Sequence, residues 1–304
     1  MTSSLQSDTG KLLIIGCGDI GKRVARLALA DGATVYGLVR SAERAAELEA
    51  LGIRPIIANL DDPSTLKELP RGGATLFYLA PPPGGGATDP RARNLCGAIR
   101  PGEEPHKVIY MSTSGVYGDS GGELVTEETP PNPQTTRGKR RFDAENAFRE
   151  WGKAHGVAVV ILRVTGIYGP GRLPVSQLES GQPVLDERLT PLTNRIHADD
   201  LARVCLAAAA RGEDGDVFNV SDGHPTTMTH YFNAVADLLG YPRPRQVSLE
   251  EARQVMSPLM LSYMSESRRL DNSRMLTKLG IRLLYPDLAA GLKASLPSPS
   301  PSPL

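Results

Sequence analysis

Residues 16–21 read GCGDIG and place Gly16, Gly18 and Gly21 in a G-x-G-x-x-G array. The apolar run KLLII precedes it and a helical stretch, DIGKRVARLALADG, follows. A glycine turn between strand and helix is a phosphate-binding device. Gly16 permits the tight turn, Gly18 lets the backbone approach a pyrophosphate, and Gly21 lets helix and strand pack closely. Asp19 and Ile20 complete the loop at the helix N-terminus, whose free N–H groups favour an anion. The next apolar run ends in Val39-Arg40-Ser41. An acid there would accept from a ribose 2′-hydroxyl and favour NAD. Arg40, with the Ser41 hydroxyl beside it, suits a 2′-phosphate instead, so NADP(H) is expected over NAD(H).

These residues need a scaffold, and the hydrophobic pattern supplies one. Apolar runs at 11–16, 33–40, 53–60, 74–80, 107–113 and 157–164 read as strands. Helical segments fall between them, including SAERAAELEALG capped by Ser41, DPRARNLCGAI and RRFDAENAFREWGKAHG. Repeated βα units with continuous Val/Ile/Leu strands indicate an α/β fold of the Rossmann type, a doubly wound parallel sheet. Past residue 172 the elements shorten and prolines increase. A small C-terminal lobe is expected there over the carboxyl ends of the strands, where ligands bind. The expected division is a nucleotide-binding domain at 11–172 and a mixed substrate lobe at 173–295 with segments returning to the first domain. Tails at 1–10 and 296–304 are expected to be disordered, the second for its PSPSPSPL run.

Bulk properties exclude several classes. The chain has 304 residues, with 34 Lys+Arg against 34 Asp+Glu. That balance gives no basic excess for nucleic acid. No apolar run approaches the roughly 18 residues of a membrane span, and the N-terminus lacks a signal-peptide pattern. Cys17, Cys96 and Cys205 are scattered without metal-ligand spacing, so no metal is expected and a reducing cytoplasm fits.

With GCGDIG, MSTSGVYGD (111–119), LRVTGIYGPGR (162–172), NRIHADDLA (194–202) and RRLDNSRMLTKLGI (268–281), the chain resembles the short-chain dehydrogenase/reductase superfamily. The likeness is to its extended branch of epimerases and dehydratases, in an atypical form. The resemblance implies that Leu79, Ala80 and Pro81 line the nicotinamide ribose, that Asn59 and Leu60 flank the adenine, and that Thr165 and Gly166 lie by the nicotinamide. It implies that Thr113 holds a substrate oxygen, with Ser112 beside it on the cofactor side. It also implies that Arg172, Arg195 and His197 face the substrate, with Tyr117 near them. His197 could equally cap the helix that starts beside it. The helix RRFDAENAFREWGKAH is the candidate surface for a homodimer.

The same resemblance exposes a departure. The family's Tyr-x-x-x-Lys pair performs proton transfer, and spacing from VYGD through PPNPQ puts Arg137 and Arg141 in those two places. No Tyr-x-x-x-Lys occurs in the chain. Arginine stays protonated and cannot serve as an ordinary proton donor. It can still stabilise an oxyanion or bind a carboxylate or phosphate. Two functions stay open: an oxidoreductase or epimerase-type enzyme acting on a carbonyl or hydroxyl of a small substrate that could be anionic, and a non-catalytic dinucleotide-binding sensor or scaffold.

Overall fold

The computed structural model describes residues 10–257, 260–261 and 266–296. The tails expected to be disordered lie outside these, save Gly10 and Leu296. The strands in chain order are β1 (Lys11–Ile15), β2 (Thr34–Val39), β3 (Arg54–Ile57), β4 (Thr75–Tyr78) and β5 (Lys107–Thr113). Then come short β6 (Leu124–Val125), long β7 (Ala158–Val164), and short β8 (Gly166–Tyr168), β9 (Val184–Leu185), β10 (Leu192–Thr193) and β11 (Arg195–His197). β12 (Val217–Val220), β13 (Thr226–Thr227), β14 (Gln246–Val247) and β15 (Arg269–Leu270) complete the set. The main helices are α1 (Asp19–Ala30), α2 (Ala42–Glu49), α3 (Pro90–Ala98), α4 (Thr136–His155), α5 (Val175–Glu179), α6 (Ala198–Arg211) and α7 (Met228–Leu239).

Seven strands form one parallel sheet in the order β12-β7-β5-β4-β1-β2-β3. The order reverses between β1 and β4, so the two following connections leave on opposite faces and open a crevice at their carboxyl ends. Leu13, Ile14 and Ile15 are fully buried, as a strand covered on both faces requires. One face packs on α1, α2 and α6 through Val24, Ala25, Leu48 and Leu201. The other packs on α3 and α4 through Leu95, Phe148 and Trp151. A separate cluster of Tyr168, Leu178, Tyr231, Phe232, Val235 and Leu292 is the core of the C-terminal lobe.

Three element boundaries, of β3, β4 and α4, differ from the sequence expectation. β3 and β4 stop at Ile57 and Tyr78, short of 60 and 80. At Asn59 the chain turns, with its Oδ1 accepting the Asp61 N–H at 3.1 Å, and Asp62 then caps a short 3-10 turn. α4 starts four residues earlier than RRFDAEN, because the Thr135 hydroxyl accepts the Gly138 N–H and makes an N-cap. The short strand VFNV after residue 172 forms the edge strand β12 of the main sheet, paired with β7.

Candidate active site

A cleft of about 1160 Å³ runs along the carboxyl edge of β1, β2 and β4. Gly16, Gly18, Asp19, Ile20, Gly21, Arg40, Ser41, Asn59, Leu60, Leu79, Ala80 and Pro81 all line it. At Gly16 φ is +88°, and a Cβ there would stand 2.6 Å from the Ala80 backbone. At Gly18 an added Cβ would meet nothing within 4 Å, so its absence leaves open space in front of the α1 N-terminus. A backbone cradle with a vacant Cβ position at a helix start fits a pyrophosphate. Ser41 caps α2 by accepting the Arg44 N–H at 3.4 Å and still carries its own hydrogen to donate. Arg44, which sequence reasoning missed, also lines the cleft beside Arg40, its guanidinium bonded to both Glu47 carboxylate oxygens at 3.0 and 2.9 Å. Its place in the first turn after the Ser41 cap was the available signal. Cys17 also lines the cleft, but burial pushes its thiol up to about 11, leaving it inert.

A second cavity, of about 490 Å³, opens between the sheet and the lobe. It gathers Thr113, Arg137, Arg141, Thr165, Gly166, Arg172 and Arg195 of the expected residues. Arg141, Ile167 and Arg172 line both cavities, so the two are joined there. Arg141 donates from Nη1 to the Met111 carbonyl at 2.9 Å and the Ala80 carbonyl at 3.3 Å. Its guanidinium is thereby pinned at the carboxyl ends of β5 and β4. Arg137 lies one helical turn earlier on the same face of α4. Thr113 Oγ1 accepts the Gly115 N–H at 3.2 Å, which orients the hydroxyl while leaving its hydrogen available.

Ser112, Tyr117 and His197 line neither cavity. The buried Ser112 hydroxyl donates to Glu145 Oε1 at 2.6 Å. The Tyr117 hydroxyl donates to Asn219 Oδ1 at 2.8 Å, under the Arg163 guanidinium. His197 is the N-cap of α6, its Nδ1 accepting the Asp199 N–H at 3.2 Å, and its ring packs 4.0 Å from that of Tyr285. Sequence reasoning missed Tyr231, Glu266 and Arg268 in the cavity wall. The cavity-wall phenols are weaker acids than usual: burial pushes Tyr231 up to about 12, and Tyr168 also lies above its ordinary value.

Beside the lobe, the Asp222 carboxyl is pushed up to about 6 by burial, and its Oδ2 is buried with no hydrogen-bond partner among the described residues. The folded state therefore holds this proton more tightly than the unfolded chain. Its contribution favours folding below about pH 4 and is lost as pH rises to about 6. Asp222→Asn is expected to raise unfolding free energy by about 1–3 kcal/mol at pH 7–8 and to leave it unchanged near pH 4. Urea denaturation at the two pH values checks this; an equal effect at both would contradict it.

A sheet with this strand order, a glycine cradle at its switch point and a lobe closing a joined second cavity define a dinucleotide-binding α/β protein of the short-chain dehydrogenase/reductase type. The chain belongs to the NAD-dependent epimerase/dehydratase family, whose model matches residues 12–221. It is similar to a 4-hydroxy-2-methyl-3-oxo-4-farnesyl-3,4-dihydroquinoline-1-oxide ketoreductase of Stigmatella aurantiaca, with 27% identity over 243 residues covering 74% of this chain and 72% of the relative. A conserved protein of Silicibacter pomeroyi, described as functionally unknown, superposes with a TM-score of 0.80 at 31% identity, covering 94% of this chain and 98% of its own. A UDP-glucuronic acid 4-epimerase of Bacillus cereus, solved with NAD, gives a TM-score of 0.73 at 21% identity, covering 93% of this chain and 96% of its own, and shows the fold alone. Among the described residues no helix is long and apolar enough to cross a membrane, and no group of His, Cys, Asp and Glu could hold a metal ion.

Proposed function

We propose that the chain is an NADP(H)-dependent oxidoreductase that interconverts a carbonyl and a hydroxyl on a small anionic substrate. The observation that carries this reading is the junction of the glycine-cradle cleft with an arginine-walled cavity at Arg141 and Arg172. The backbone at Gly16–Gly21 would hold the pyrophosphate, and Arg40, Ser41 and Arg44 the 2′-phosphate. When bound, the nicotinamide supplies or accepts hydride. Thr113 would donate a hydrogen bond to the substrate oxygen. Arg137 would stabilise the negative charge that develops on that oxygen, because its charge is fixed and its fork is rigid. Arg141, pinned to the Ala80 and Met111 carbonyls, would take the ribose-binding part of the family lysine. The proton for the alkoxide would come from water through the Thr113 hydroxyl.

A second reading, a dinucleotide-binding sensor or scaffold without turnover, is favoured by one observation: no phenol stands where the family keeps its proton donor. Calorimetric titration with NADPH and NADH, followed by turnover with a panel of keto acids, separates the two. Wild-type chain is expected to bind NADPH more tightly than NADH. Arg40→Ala should weaken NADPH on the order of 10–100-fold, the loss of charge-assisted bonds to phosphate, and leave NADH unchanged. Equal affinities for the two cofactors in the wild type would overturn the Arg40 assignment. Cofactor binding with no turnover on any acid would favour the sensor.

A further inference from the structure

Four arginines among the described residues are buried: Arg71, Arg163, Arg195 and Arg268. Three of them hold a carboxylate. Arg71 pairs with Glu103 at 2.6 Å, Arg163 with Glu145 at 2.8 Å, and Arg268 with Glu266. Arg195 has no carboxylate oxygen within 4.0 Å among the described residues. Its partners are neutral: the Thr226 hydroxyl at 2.7 Å, the Thr227 carbonyl at 3.5 Å and the Met228 sulfur at 3.6 Å. The guanidinium lies over the Tyr231 ring, 4.4 Å from its centroid. Burial pushes its pKa down to about 10, the signature of a desolvated cation. The field of Asp222 reaches it, yet no ion pair forms.

A buried cation without a counter-ion is unfavourable for the fold alone. Arg195 differs from Arg71 and Arg163 in a second respect: it forms part of the wall of the smaller cavity. We infer that Arg195 anchors an oxyanion group, a carboxylate or a phosphate, carried by the ligand of this cavity away from its reacting carbon. Stacking on Tyr231 and the bond to Thr226 fix the plane of the fork, which a carboxylate or phosphate meets with paired bonds. Glu266, the one carboxylate in the described wall, is neutralised by its pair with Arg268, which also lines the cavity. The word substrate for this ligand rests on the function proposed above; the anion site itself does not.

The test uses the full chain and three probes: acetoacetate, its neutral methyl ester, and inorganic phosphate. Binding is measured by calorimetry and melting temperature for wild type, Arg195→Met and Arg195→Lys, with NADPH affinity measured on each. Methionine keeps an unbranched apolar stem against Tyr231 and removes the charge. The expected result is that an anion binds wild type, that Arg195→Met weakens it on the order of 100-fold, and that Arg195→Lys weakens it less. The ester is expected to bind no better to wild type than to the methionine variant. The melting temperature of Arg195→Met should stay level or rise, since an apolar replacement relieves a desolvated charge. Tighter acetoacetate points to a carboxylate, tighter phosphate to a phosphate ester. The inference is overturned if no anion binds, if anions bind wild type and Arg195→Met equally, or if Arg195→Met melts lower and Arg195→Lys restores the melting temperature. Loss of NADPH binding in wild type with the anion effect intact would sink the oxidoreductase reading and leave the anion site standing.

Discussion

Glu145→Ala is expected to lower the unfolding free energy by about 3–5 kcal/mol. Glu145 is fully buried on α4, and its two oxygens take Arg163 Nε at 3.1 Å and Nη2 at 2.8 Å. It also accepts the Ser112 hydroxyl, and Arg149 lies 3.3 Å away. Removing the acid leaves the guanidinium of Arg163 buried without a counter-ion beneath the ends of β5 and β7. The melting temperature should fall on the order of 10 °C. A double change to Glu145→Leu with Arg163→Met should recover most of the loss, because an apolar pair of similar volume removes both desolvated charges. Chemical denaturation of the three chains checks both statements. A single-variant loss under about 1 kcal/mol would mean that the buried pair contributes little.

Arg137→Met should reduce kcat for the proposed carbonyl reduction by about 10²–10³-fold while leaving NADPH affinity unchanged. The argument is electrostatic. A carbonyl oxygen gains negative charge only as hydride arrives, so a fixed cation near it acts mainly in the transition state. Arg137 lines the smaller cavity and not the cofactor cleft, which separates its effect on turnover from cofactor binding. Arg141→Met should differ, raising the apparent Kd for NADPH as well, because Arg141 lines both cavities and is tied to the Ala80 and Met111 carbonyls. Steady-state kinetics with cofactor titrations distinguish the two patterns. Unchanged kcat in Arg137→Met would remove it from the reaction.

Much of the larger cleft's lining was legible because it is made by backbone and local sequence. The glycine array, the Arg40-Ser41 strand end and the Leu79-Ala80-Pro81 turn each lie within a few residues of a strand terminus. The Arg137/Arg141 pair was legible for a similar reason: four residues apart on a helix is one face. Ser112 was misplaced by ignoring strand period. Thr113 opens into the cavity, so its neighbour on β5 must point the other way, and it does, toward Glu145. The Glu145–Arg163 pair and the place of Glu266 and Arg268 in the cavity wall were not legible, because they depend on how α4, β7 and the chain near residue 267 pack in three dimensions. Segments after residue 172 were expected to return to the first domain, but which one could not be read from the sequence; β12 pairs with β7 in the main sheet.

The central claim is that an arginine that stays protonated has replaced the usual tyrosine in a working hydride-transfer site. The pH dependence of single-turnover NADPH oxidation by a keto acid tests it most directly. The described titratable neighbours with raised phenols ionise far above neutrality, Tyr231 at about 12. The account predicts a rate that stays level from about pH 7 to about pH 9, since an arginine in the cavity keeps its charge throughout that range. A rate that falls with one ionisation inside that window would reveal an ordinary acid donor and contradict the account, as would the absence of any turnover.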